Sequence, residues 1–272
     1  MYRLAITDDI TLANKGSSVS PSPVPFYLDW TFWAAVWALV AIVLSQLPPI
    51  HLLLRPKRLD VEVHSRIGIT HKVGNPNASV VVSVRNTGGR ALRIKALRLN
   101  ITRDGKPLMA LPAQNYFETP SATSSVLFVP FSLKPGETWA HSVAFLILFD
   151  RLTEKQFREN LSALGADIRR RIDERPQEHE KQAVVADPRL VEPFNALFAK
   201  LFVWLPGEHI AELQVDAEPG SASYSKKYRF TLYESDAEEL RSHTEDYRIG
   251  GGLTFNVERH AGVNVPLSEH VG

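Results

Sequence analysis

The sequence predicts a mainly β protein: an antiparallel sandwich with a helical insertion, preceded by one transmembrane helix. Three observations carry that prediction. Residues 30–47 (WTFWAAVWALVAIVLSQL) form an uncharged apolar run. Residues 59–149 and 206–235 contain short alternating runs separated by turn signals. Between them, residues 151–205 carry two stretches of helical periodicity.

The composition narrows the function classes. The chain has 272 residues and a formal charge of 31 − 30 = +1 with His neutral. That length fits one or two domains and a sizeable core. A near-neutral chain lacks the basic excess of a general nucleic-acid binder, so no nucleic-acid partner is expected. With 0 Cys, disulfides, Cys-ligated zinc, iron–sulfur clusters and thiol nucleophiles are excluded. A mean hydropathy of −0.12 excludes a polytopic membrane protein.

The apolar run predicts a single span. The uncharged stretch after Asp29 extends to Leu54. Phe32, Val36, Leu39, Val40, Ile42, Val43, Leu44 and Leu47 together favour insertion by about 2.5–5 kcal/mol. Tyr27, Trp30, Trp33 and Trp37 read as an aromatic belt, and Pro48-Pro49 as the helix stop. The expected anchor residues are Trp30, Trp33, Trp37, Leu39, Ile42 and Leu44. A cleaved signal peptide fits less well, because no basic residue directly precedes the run and no small-residue cleavage site follows it. Arg55, Lys57, Arg58, Arg66 and Lys72 follow the run, while only Arg3 and Lys15 precede it. The positive-inside rule then places the protein in the inner or plasma membrane, N-terminus outside and C-terminal domain cytoplasmic. Ala34, Ala38, Ala41 and Ser45 form one small-residue face, which allows a homo-oligomer.

The β region divides at its turns. Strands are expected at 59–69, 80–86, 91–102, 124–133, 138–149, 209–218 and 228–235. Asn86-Thr87-Gly88-Gly89, Arg103-Asp104-Gly105-Lys106 and Lys134-Pro135-Gly136-Glu137 are the turns. Leu92, Ile94, Leu97, Leu99 and Ile101 point inward, with a bulge near Ala96-Leu97. The segment VSVRNTGGRALRIKALRLNI, followed by SLKPGETW and a closing hairpin, resembles the immunoglobulin-like or fibronectin-like β-sandwich superfamily. The resemblance covers about residues 58–149 and 206–235. It implies an Ig-like domain that binds other proteins and carries over no catalytic residues. The antibody Cys pair and its core Trp arrangement are missing.

The insertion departs from that pattern. Thr153 with Gln156 reads as a capping box before Phe157, Leu161, Leu164, Ile168 and Ile172 over residues 153–175. Asp187-Pro188 reads as N-cap and N1 of a second helix ending before Pro206-Gly207. Phe194, Phe198, Leu201, Phe202 and Trp204 give that helix a broad apolar face, and Arg169, Arg170 and Arg171 supply nearby positive charge. The face is either core, between sandwich and first helix, or a surface for a partner or the bilayer.

The expected organisation is therefore an N-terminal tail (1–28), a transmembrane helix with its membrane-exit segment (29–54), and an Ig-like sandwich (55–235) with its insertion at about 151–205. Residues 236–272 complete it as a short acidic helix and a mobile tail, with 253–257 a possible added strand and residues 246–272 dispensable for folding.

Chemistry is sparse. No His pair has the i, i+4 spacing of a zinc helix with a Glu base, and neither G-x-S-x-G nor a GK[ST] phosphate loop occurs. Glu178-His179-Glu180 reads as solvated loop, and Gly250-Gly251-Gly252 as tail. No catalytic, metal or cofactor residues are assigned, and no cofactor is expected. The expected function is a membrane-anchored interaction or scaffold protein that recruits or assembles partner proteins, with the lipid bilayer and other protein subunits as partners. One alternative is a ligand sensor or enzyme with its site between sandwich and insertion. Another is an extracytoplasmic envelope or adhesion protein, with which the triplets at Asn77, Asn100 and Asn160 agree.

Overall fold

The computed structural model describes residues 25, 27, 30–46, 55–119, 122–176, 182–253 and 262–270. The chain divides into two compact units, residues 1–50 and 51–272.

The first unit contains α1 (Trp30–Gln46). The Trp33 indole N–H donates to the Tyr27 carbonyl at 2.8 Å near the start of this helix. The helix has 17 residues. At ~1.5 Å per residue it is about 25 Å long, short of a hydrocarbon core of ~30 Å. Among the described residues no helix is long and apolar enough to cross a membrane. This corrects the predicted transmembrane helix and the single-pass architecture. The apolar composition is present, but Thr31, Ser45 and four alanines (Ala34, Ala35, Ala38, Ala41) dilute it over a short length. The exit segment 47–54 and nearly all of the tail 1–28 lie outside the described residues.

Among the described residues the second unit is built on twelve strands: β1 (Leu59–Val63), β2 (Arg66–Lys72), β3 (Asn75–Asn86), β4 (Leu92–Arg103), β5 (Lys106–Phe117), β6 (Val126–Leu127), β7 (Phe131–Leu133), β8 (Thr138–Leu146), β9 (Gly207–Glu218), β10 (Tyr224–Leu232), β11 (Val263–Pro266) and β12 (Ser268–Glu269). They form one antiparallel sheet in the order β11-β2-β3-β8-β5-β4-β9-β10-β12, with β1 on β3, β6 on β5 and β7 on β4. The predicted Ig-like sandwich is corrected on this point: the sheet is continuous and curls into a nearly closed barrel.

Two segments make it continuous. β5 pairs with β4 through residues 106–112 and with β8 through residues 113–117, so it turns the corner beside Pro112. The pairing shifts register between Ala113 and Asn115, and such an irregularity bends a strand. At the other seam, β11 pairs with β2 and β12 with β10, with Leu267 alone between them. The Leu267 N–H donates to Ser65 O at 2.8 Å and the His270 N–H to Lys227 O at 3.0 Å. The C-terminal segment thus bridges both open edges. The expected mobile tail is corrected here: Tyr247, Leu253, Val263 and Val265 are buried. The possible strand at 253–257 lies largely outside the described residues.

The barrel core follows from strand alternation. Ala78, Val80, Val82 and Val84 of β3 point inward with Val143 and Phe145 of β8. Leu92, Ile94, Leu97, Leu99 and Ile101 of β4 are all buried, and the register shift against β9 between Ile94 and Ala96 accounts for their change of phase. Asn86, fully buried, donates from Nδ2 to Arg90 O at 2.8 Å and Leu133 O at 2.9 Å, and accepts from the Gly88 N–H at 2.9 Å. Those bonds lock the Asn-Thr-Gly-Gly turn.

The insertion comprises α2 (Arg151–Asp173) and α3 (Pro188–Leu201). Asp150 caps α2, accepting from the Leu152 and Thr153 N–H groups, so the helix starts earlier than the Thr153–Gln156 pattern suggests. Asp187 caps α3 through the Arg189 N–H, with Pro188 following, as the sequence predicts. α3 ends at Leu201, with Phe202 already extended. A second core lies beneath these helices, formed by Val73, Phe157, Leu164, Ala186, Val191, Phe194, Tyr247 and Leu253. Gly74, at φ +80°, lets α3 approach the β2–β3 turn: a Cβ there would lie 2.7 Å from Phe198 O. A short helix, α4 (Glu234–Ser242), follows β10, with Tyr233 as its N-cap.

Candidate functional site

A mostly apolar concavity lies where the insertion meets the outer face of the sheet. The end of β2 supplies Lys72, the start of β3 Asn75, Pro76 and Asn77, and the end of β5 Asn115 and Phe117. β8 and the segment after it add Ala144, Leu146, Ile147, Leu148 and Phe149, and the first turns of α2 add Glu154 and Arg158. The volume is about 500 Å³, within the range of small-molecule sites.

Strand register explains the floor. Asn77 lies opposite Leu146, and Asn115 opposite Ala144. Alternate residues share a face, so Ala144 and Leu146 point away from the Val143 and Phe145 core, and the two asparagines flank them. Ala144 is the small residue that leaves the hollow. Both asparagine oxygens are shielded from solvent, and neither Asn77 Oδ1 nor Asn115 Oδ1 has a hydrogen-bond partner among the described residues. Leaving such an acceptor unpaired costs about 1–3 kcal/mol. The Asn115 Nδ2 donates to Ser125 Oγ at 2.7 Å, and the Asn75 Nδ2 to Ile147 O at 2.6 Å, which holds the β8–α2 connection against β3.

The cations at this site are engaged. Lys72 Nζ lies 5.1 Å from the Phe149 ring centre and 4.5 Å from that of Phe157. Arg158 Nε donates to Glu154 Oε1 at 2.6 Å. Among the described residues no nucleophile–base pair lines the pocket. Among the described residues, no group of three His, Asp or Glu could hold a metal ion.

The predicted interaction face is distributed differently. Phe194 and Trp204 are buried, at 1% and 0% exposure. Leu201 is half-buried. Phe198 and Phe202 are also half-buried, stack on each other at 4.7 Å, and both meet His71 edge-on. His71 accepts from the Gly74 N–H and places its Nε2 2.8 Å from Leu240 O, so the ring ties β2 to α4 as the Nε2–H tautomer. Most of this face is therefore packing between the helices and the sheet.

Arg169 is exposed, but Arg170 and Arg171 converge on Asp167 at 2.6 and 2.7 Å. Asp167 also accepts from the Asp187 N–H at 2.9 Å, fixing the start of α3 to α2. That backbone bond first, and the two guanidiniums after it, hold the Asp167 carboxyl below its ordinary range. Glu178, His179 and Glu180 lie outside the described residues.

The expected anchor residues present a different surface. On α1, Trp30 is 81% exposed, Trp37 65% and Leu39 63%, and Trp33, Ile42 and Leu44 are also exposed. The pocket was missed from sequence because its walls come from five separate segments that only the register assembles. The available signal was two asparagines inside otherwise strand-forming runs.

No protein-family model matches the chain, and no curated protein is significantly similar to it.

Proposed function

We propose that the chain is an interaction and scaffold protein that joins a partner subunit through α1 and presents its β-barrel domain beside that partner. The observation that carries this reading is the exposure of α1. An aromatic and aliphatic surface this large, left in water, is a liability unless another molecule covers it. The helix is apolar around its circumference, which suits insertion among other helices better than a one-sided contact. Among the described residues no helix is long and apolar enough to cross a membrane, so this reading attaches the chain through a partner protein.

The reading is tested with the paired substitution Leu39→Glu and Ile42→Glu. The full chain migrates in an assembly larger than its own 30.4 kDa mass, and the substituted chain migrates as a folded monomer. Identical migration of the two chains contradicts the reading.

A second reading has its own observation. The pocket under α2 lies where a ligand sensor or enzyme would carry its site, between sheet and insertion. Its apolar walls favour reversible binding, which is compatible with a scaffold role.

A further inference from the structure

We propose that the gap between β1 and the first half of β10 takes an extended, basic segment of a partner protein, which joins the sheet as an added strand.

The gap follows from the topology. β11 and β12 fill the seam of the barrel alongside β2 and the middle of β10. Alongside β1 the filling stops. Among the described residues β1 pairs with β3 alone, and Tyr224, Ser225 and Lys226 of β10 pair with β9 alone. The hollow between them measures about 520 Å³. Arg58 O and His64 N bond toward β3, so alternation turns the N–H and C=O groups of Leu59, Val61 and Val63 to the open side. On β10, Lys227 O accepts from His270 N, which places the N–H and C=O of Ser225 on the same open edge. Val61 O accepts from the Tyr224 hydroxyl at 3.3 Å. A whole tyrosine side chain, instead of a backbone-to-backbone bond, therefore spans the gap at this point. Two edges held apart in this way suit one intervening strand, which needs two ladder spacings of ~4.8 Å. A peptide N–H then takes over the Val61 carbonyl from the hydroxyl, and main-chain bonds to an exposed edge supply the affinity.

Charge selects the occupant. Three carboxylates, Asp60, Glu62 and Glu269, line the gap against one ammonium, Lys226. Lys226 is ion-paired with Glu269 and meets Asp60 only through space. Arg85 lies opposite Asp60 on β3 without forming an ion pair, and Lys227, on the outer face of β10, acts on Glu212. Asp60 and Glu62 are exposed, while Val61 between them is buried. An incoming strand thus sets alternate side chains toward Val61, Tyr224 and Leu267, where apolar residues fit. Its other side chains lie beside Asp60 and Glu62, where Lys or Arg fits. A second copy of this chain is a poor occupant. Antiparallel pairing of β1 with itself about Val61 sets Asp60 against Glu62 of the other copy twice, and like charges directly opposite are destabilising. Nucleic acid is repelled by the same carboxylates.

The test uses the full chain and three labelled hexapeptides with blocked ends, followed by fluorescence anisotropy. The first is Val-Lys-Val-Lys-Val-Lys. The second carries Glu in place of every Lys. The third is the first with N-methyl groups on its two central residues, which removes one N–H from each edge of the strand and leaves the charge unchanged. The first peptide binds at least about tenfold more tightly than either of the others, the scale of a few cross-strand pairs. Asp60→Lys with Glu62→Lys, at two exposed positions, reverses the preference toward the Glu peptide. Equal affinity of the first and third peptides overturns strand addition, and equal affinity of the first and second overturns the basic class. Absence of saturable binding by the first peptide overturns the docking site. So does an unchanged preference for Lys in the doubly substituted chain with its circular dichroism intact. The peptide comparisons need no variant, so a substitution that fails to fold leaves the proposal open to contradiction.

Discussion

The indole N–H of Trp204 donates to the carbonyl of Thr70 at 2.9 Å, joining the end of the insertion to β2 across 134 positions of the chain. Trp204 is fully buried and belongs to the barrel core, while Phe194, ten positions earlier, belongs to the second core beneath the helices. The residues between them carry the chain from one core to the other. Removing this side chain therefore loosens the insertion and the barrel together. Trp204→Ala is expected to cost about 3–5 kcal/mol, and Trp204→Phe, which keeps most of the volume but leaves the Thr70 carbonyl without this donor, about 1–2 kcal/mol. Denaturant unfolding of both variants measures the two losses. Equal stability of Trp204→Phe and the parent chain denies the hydrogen bond its role.

Closure of the barrel by the C-terminus yields a second expectation. Val263 and Val265 insert beside Ile67 and Ile69, and the same segment pairs with β10 two residues later. Each buried valine contributes about 1.5–3 kcal/mol. A chain ending at Ala261 loses both, together with its ladder bonds on two edges. Its unfolding midpoint falls by at least ~3 kcal/mol equivalent, and limited proteolysis cuts β2 or β10 faster than in the full chain. An unchanged midpoint contradicts the bridging of both sheet edges by this segment.

Stability also depends on pH through His209. The ring is fully buried, stacks on Phe230 at 5.0 Å, and keeps Nε2 without a partner among the described residues. Burial pushes its pKa below the ordinary 6.5, with nearby Arg103 acting in the same direction and the Gly207 carbonyl and Asp104 opposing it. The folded state then binds protons less readily than the unfolded state. Its stabilising contribution is complete above about pH 6.5, begins to fall below it, and is lost as pH drops through the depressed folded value. His243, lowered chiefly by burial, adds to the same acid limb. Unfolding measured between pH 8 and pH 5 shows stability decreasing toward acid, and His209→Phe flattens part of that slope. A slope unaffected by His209→Phe assigns the limb elsewhere.

Much of this architecture was legible in the sequence where one periodicity ran uninterrupted. The inward set of β4, from Leu92 to Ile101, and the Asp187-Pro188 start of α3 follow from local pattern alone. β5 was not legible. Pro107 and Pro112 interrupt it, and its residues change partners halfway, so no single alternation describes it. β11 has only four residues, and its two inward valines carry no signal until both neighbouring edges are known. α1 misleads for the opposite reason: its composition is apolar enough to suggest a span, but the helix is short and diluted by alanines, Thr31 and Ser45. At the candidate site, Phe194 and Trp204 were recognisable as apolar anchors, but which surface covers them is a tertiary fact. The pocket depends on Asn77 and Asn115 flanking Ala144, a relationship set by register between strands far apart in sequence.

The scaffold reading is tested most directly by a photoreactive residue at position 37 of the full chain, where Trp37 is 65% exposed on α1. Irradiation in the native cell is expected to give one discrete cross-linked adduct. Mass spectrometry of that adduct identifies a partner subunit, and Leu39→Glu with Ile42→Glu abolishes it. Adducts confined to lipid, or none above the level of the same probe at exposed Arg169, contradict the claim that α1 joins this chain to another protein.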